Sequence, residues 1–140
     1  MKGSIISLVM LAVFLQFISC DARGQKENSQ AGDLQTQTIE VYYFHFTRRC
    51  ETCMAVENVS RKAVEELYPK ALEEGRIAFQ SLNLEEEDGK QIADKLNIAT
   101  QTLLVVRFGE KIDLTNQGFM YARTDPEKLK KALLDAIGKI

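Results

Sequence analysis

The stretch "TIEVYYFHFTRRCETCMAVE", Thr38 to Glu57, decides how the chain is to be read. Its first nine residues, Thr38 to Phe46, are mostly β-branched and aromatic, the composition of a buried strand. After Cys50, the residues Val56, Val59, Ala63, Val64, Leu67 and Ala71 recur three and four apart, as on one apolar face of a helix. Cys50 and Cys53 stand where strand gives way to helix, behind the single histidine, His45, and the pair Arg48 and Arg49. A redox centre, a metal clamp and a structural disulfide all fit that bare spacing.

Further along, Pro69 is expected to end or kink the helix near its last turn. "RIAFQSLNL" (76–84) reads as a second strand, and "EEEDGKQIADKLNI" as a short helix with Ile92 and Leu96 on one side. The acidic run Glu85 to Asp88 suits the solvated first turn of that helix, where negative charge meets the positive end of the dipole. "TLLVVRF" (102–108) is almost continuously apolar, as in a central strand covered on both faces. Gly109-Glu110-Lys111 should turn the chain into "KIDLTN", a strand whose Ile112 and Leu114 alternate with polar neighbours. A last helix is capped by Thr124 or Asp125 and has Pro126 in its first turn. Leu129, Ala132, Leu133, Ala136 and Ile137 form its buried stripe, and Gly138 is its stop. The predicted order is βαβαββα, an α/β domain over residues 38–140 with a central mixed sheet and helices on both faces. Its first two connections are expected to be right-handed crossovers and its last strand pair a hairpin.

Toward the amino terminus the character changes. Lys2 followed by the apolar run "ISLVMLAVFLQFI" makes residues 1–20 a targeting segment, too short to span a bilayer comfortably. Cleavage after Ala22 is one reading. The other takes "FISC" as a relaxed lipobox, with Cys20 the lipid attachment site and Phe17 where leucine is usual. Both readings imply export, to the periplasm or to a membrane-anchored lipoprotein facing it, and a compartment that tolerates a disulfide. Residues 21–37, "DARGQKENSQAGDLQTQ", lack hydrophobic periodicity and read as a flexible linker, a tether if Cys20 is acylated. Of three cysteines, Cys50 and Cys53 are then the pair within the domain. A net charge of -2 offers no electrostatic footprint for nucleic acid.

A strand, then C-x-x-C at the start of a helix, then this element order resembles the thioredoxin-like superfamily in minimal form, over about residues 38–140. More narrowly, "VYYFHFTRRCETCMAVE" is similar to small exported bacterial thioredoxin-like proteins described as nitroreductase-associated subunits. The resemblance implies a thiol–disulfide oxidoreductase that needs no cofactor and acts on protein thiols or disulfides, with an envelope redox partner. Cys50 would attack and Cys53 would resolve the mixed disulfide. Where this superfamily usually keeps tryptophan, Gly-Pro, a buried acid and a cis-proline, the chain has Arg49, Glu51-Thr52, Phe44 and Gln101. Thr100, Gln101 and Thr102 would still face the sulfurs as the substrate-binding loop, joined by Arg48 and Arg49.

Position supplies the chemistry expected of Cys50. Unpaired N–H groups at a helix start stabilise a thiolate, Arg48 and Arg49 add attraction, and Glu51 opposes it. His45 is open to three readings: proton transfer, a third ligand beside Cys50 and Cys53 in a soft-metal, Cu(I)-type site, or a ring held by the backbone at the strand end. Glu57 is either a base for the buried thiol or the surface partner of Arg61. Met54 is a docking contact or a gap-filler, and Tyr42, Tyr43, Phe44 and Phe46 are core or rim packing in preference to a cofactor box. A non-catalytic adaptor with a structural bridge is the third functional class.

Overall fold

A computed structural model of the chain describes residues 37–140. The targeting segment 1–20, the attachment site Cys20 and all but the last residue of the linker lie outside the described residues. Four strands form one sheet: β1 (Ile39–His45), β2 (Ile77–Asn83), β3 (Thr102–Arg107) and β4 (Glu110–Asp113). Five helices accompany them among the described residues: α1 (Glu51–Leu67), α2 (Pro69–Glu73), α3 (Glu87–Leu96), α4 (Thr115–Tyr121) and α5 (Pro126–Ile137). The sheet order is β2-β1-β3-β4, with β1 parallel to β2 and antiparallel to β3, and β3 antiparallel to β4. This is the α/β architecture expected from the sequence, a central mixed sheet with helices on both faces, with two short helices added to it.

The two central strands alternate between two apolar layers, as side chains on successive strand residues must. Val41, Tyr43, Leu103 and Val105 face the larger core with Val56, Ala63, Val64, Leu129 and Leu133 of α1 and α5. Tyr42, Phe44, Leu104 and Val106 face the smaller one with Ala93 and Leu96 of α3. β3 is thus covered on both sides, which explains its unbroken hydrophobic run. The α1 face differs from expectation at two places. Leu67 is exposed at the helix end, and Ser60 is wholly buried.

Pro69 acts as expected and then does something further. α1 stops at Leu67, and the proline takes the first position of α2, where its missing N–H costs nothing. α5 begins with Asp125 as its cap, whose carboxylate accepts from the Lys128 N–H at 3.4 Å, and with Pro126 next.

Three expectations need correction. First, the second connection is not a parallel crossover, because β3 runs antiparallel to β1. β2 ends with Asn83 opposite His45, and β3 begins with Thr102 opposite Phe44, so α3 leaves from and returns to the same end of the sheet. Ten residues of helix reach only about 15 Å, too little to traverse a seven-residue strand of about 23 Å and come back parallel. Second, the β3–β4 turn is Phe108-Gly109, both at positive φ, and not Gly109-Glu110-Lys111. Third, "KIDLTN" does not continue as a strand. β4 stops at Asp113, whose carboxylate accepts the Thr115 N–H at 2.8 Å and helps to start α4. Gly118 lets α4 approach closely, since a Cβ there would sit 3.1 Å from Val56 Cγ1.

The acidic run divides. Glu87 and Asp88 occupy the first turn of α3, whereas Glu85 stands ahead of it and accepts the Thr47 N–H at 2.7 Å. Asn83 donates to Thr47 Oγ1 at 2.9 Å, so the end of β2 fixes the loop between β1 and α1. Ile39 enters the sheet at the end opposite that loop.

Candidate redox site

The loop after β1 delivers Cys50 to the N-cap of α1. Its backbone is extended at φ -86°, and its Sγ accepts the Cys53 N–H at 3.1 Å. One free donor of the first turn is thereby aimed at the sulfur, an arrangement that favours negative charge there. A Cα–Cα distance of 5.1 Å lets the two cysteines join, and they form a disulfide. Helical geometry makes the pair unequal. Cys50 is exposed, while Cys53, one turn further in, is 4 % exposed. An incoming sulfur can therefore reach Cys50 and not Cys53.

The loop before β3 supplies the other wall. Thr102, buried at the start of β3, donates through Oγ1 to the Thr100 carbonyl at 3.0 Å. Gln101, half-buried between them, turns its carboxamide onto the inner sulfur, with Nε2 3.5 Å from Cys53 Sγ. Thr100 is exposed. The described residues hold no cis peptide, so Gln101 follows an ordinary trans bond.

The arginines separate. Arg48, two residues before Cys50, is exposed. Arg49 turns inward to pair with Glu57, its guanidinium 5.8 Å from the Tyr43 ring centroid. Its charge is therefore shared with a carboxylate and is less available to a substrate or to the Cys50 sulfur than the sequence suggested. Glu57 also accepts from Arg61 at 2.8 Å. This combines the expected Arg61 pair with a second partner that the spacing did not reveal. Burial pushes the Glu57 carboxyl up, but hydrogen bonds from Arg49 and Arg61 outweigh it and hold the group below its ordinary 4.5. A carboxylate so held is a poor acceptor for a thiol proton.

A stability consequence follows. With the folded value depressed, the Glu57 contribution is fully present above about pH 4.5 and is lost as pH falls through the folded value. Urea unfolding at pH 7 should show Glu57→Gln to be less stable than wild type, with a gap that narrows at pH 3. A gap of constant size at both pH values would contradict this.

His45 lies at the strand end with Nδ1 3.0 Å from the Phe46 carbonyl, the backbone-held arrangement. Among the described residues no group of three His, Cys, Asp or Glu side chains gathers to hold a metal, so His45, Cys50 and Cys53 are not assembled as ligands. Glu51 faces away toward Arg123 at 3.2 Å, an exposed pair of small energetic weight. Met54 is 45 % exposed and so does not fill a gap, and Phe46 is 37 % exposed, at the rim, while Tyr42, Tyr43 and Phe44 are buried. Arg123, Asn83 and the loop-holding role of Glu85 were not foreseen. Only Glu85 had a signal, as a carboxylate two places ahead of the helix it was assigned to.

No protein-family model matches the chain, and no curated protein matches it. Among solved structures, the chain is similar to thioredoxin O2 from Arabidopsis thaliana in its oxidised state, with 19% sequence identity and a TM-score of 0.49. The match covers 71% of this chain and 75% of that one.

Proposed function

We propose that this chain is an exported thiol–disulfide oxidoreductase that exchanges electrons with protein thiols or disulfides through Cys50 and Cys53. The observation that carries the reading is the asymmetry of the pair: an exposed sulfur at a helix N-cap, bonded to a buried one. In the reducing direction, the Cys50 thiolate attacks a substrate disulfide and expels one substrate thiolate. Cys53 then attacks Cys50, closes the Cys50–Cys53 bridge and releases the second. Two electrons pass to the substrate, and the reverse sequence oxidises a dithiol. A purely structural bridge has no need of an exposed sulfur, and a soft-metal site needs thiolates free of the bond they share.

Thr100, with the exposed Arg48, Met54 and Phe46, would border a docked partner. The targeting segment 1–20 supports export, and acylation of Cys20 would make the protein a lipoprotein on a tether. The narrower likeness of Val41 to Glu57 to exported thioredoxin-like proteins supports a role as electron-transfer partner of an envelope enzyme.

Replacing Cys53 by serine removes the resolving sulfur. In cells, Cys53→Ser should accumulate mixed disulfides on Cys50 that dithiothreitol releases. Absence of such adducts, or equal adducts on a Cys50→Ser chain, sinks the proposal.

A further inference from the structure

Cys53 is almost shut off from water, so the stability of each of its forms depends on the protein groups that touch it. The Glu57 carboxylate, one turn further along α1, offers little, since it is taken up by Arg49 and Arg61. Gln101 is different. Its Nε2 lies 3.5 Å and its Oε1 3.9 Å from Cys53 Sγ. A disulfide sulfur carries no hydrogen, so in this state the contact is the amide N–H donating to sulfur.

We propose that the Gln101 carboxamide governs the reactivity of Cys53, its N–H stabilising the departing or attacking thiolate and its Oε1 accepting the S–H of the protonated thiol. This deepens the exchange reading above and rests on it. A primary amide suits the task because it is donor and acceptor at once and carries no charge to repel the thiolate. Its station is fixed by the Thr102–Thr100 bond and by the pairing of Thr102 with Phe44. Because Gln101 touches a reacting atom, it is catalytic in that strict sense.

When a thiolate from reduced glutathione attacks Cys50, a Cys50–glutathione bond forms and the Cys50–Cys53 bond breaks. The electron pair leaves on Cys53, which takes up the amide hydrogen bond. A second glutathione thiolate then attacks the glutathione sulfur of the mixed disulfide, yielding oxidised glutathione and a Cys50 thiolate. Protons for both protein sulfurs come from solvent, since an amide cannot supply one at neutral pH. The thiolate and the thiol each gain more from the amide than a disulfide sulfur does, because the disulfide is only a weak acceptor. Gln101 thus favours the reduced form.

The test equilibrates wild type, Gln101→Leu and Gln101→Glu with mixtures of reduced and oxidised glutathione at pH 7. It also follows, against pH, the rate at which Cys53 displaces glutathione from Cys50. Gln101→Leu should move the equilibrium about tenfold toward the disulfide, or about 30 mV more reducing. The pH midpoint of glutathione release should rise by about one unit. Gln101→Glu is nearly isosteric, lacks the N–H donors and repels a thiolate, so its midpoint should rise at least as far, and it carries the test if the leucine variant does not fold. Variants that keep the wild-type equilibrium and midpoint overturn the assignment while leaving the exchange reading intact. A wild-type pair that does not equilibrate with glutathione overturns both.

Discussion

A Cys50→Ser chain is expected to lose disulfide exchange down to the buffer background and to hide its remaining thiol. Cys53 is 4 % exposed, so alkylation must wait for the first turn of α1 to open. An opening cost of about 3 kcal/mol would slow alkylation by about a hundredfold relative to an exposed thiol. In Cys53→Ser, by contrast, Cys50 sits uncovered at the N-cap and should react in the folded protein at once. Timed reaction with iodoacetamide, quenched and read by mass, compares the two directly. Equal rates in the folded chains would mean that the two sulfurs are equally accessible, and the division of labour between attacker and resolver would fall.

The second large effect is on folding. Gly89 lies in the first turn of α3 against the end of β2, where an added Cβ would stand 1.9 Å from the Asn83 carbonyl oxygen and 2.6 Å from its carbon. Both are backbone atoms, so the helix itself would have to move. Helix propensity alone predicts that Gly89→Ala stabilises by about 1 kcal/mol. The clash predicts the opposite sign, a loss of about 3 kcal/mol or more, which for a domain of this size lowers Tm by about 15 °C. Thermal unfolding decides between them by sign alone. The same movement would disturb the Asn83 and Glu85 contacts that hold Thr47, so Cys50 exchange should also suffer in whatever fraction remains folded.

The sequence made the sulfurs' surroundings legible wherever local pattern decides them. The apolar run of β3, the α1 stripe at Val56, Ala63 and Val64, and the Asp125-Pro126 start of α5 follow from periodicity and capping, which depend on near neighbours. α4 was hidden because Leu114 continues the alternation of Ile112, and because Gly118 is a poor helix former chosen for its close approach to Val56. The inward turn of Arg49 was hidden for another reason. Its partner Glu57 lies eight residues away, beyond any local spacing rule, and the pair exists only once α1 folds back beside β1. The direction of β3 mattered most for the site. Running antiparallel, it starts at the end where β1 stops, and this brings Gln101 against Cys53.

The placement of Ile39 sets where the chain enters the domain relative to Cys50. β1 spans about 23 Å from Ile39 to the threshold of the sulfur loop, so the chain enters at one pole and the reactive sulfur is displayed at the other. A label placed at Thr38 would therefore sit a strand's length from Cys50 and leave exchange there undisturbed.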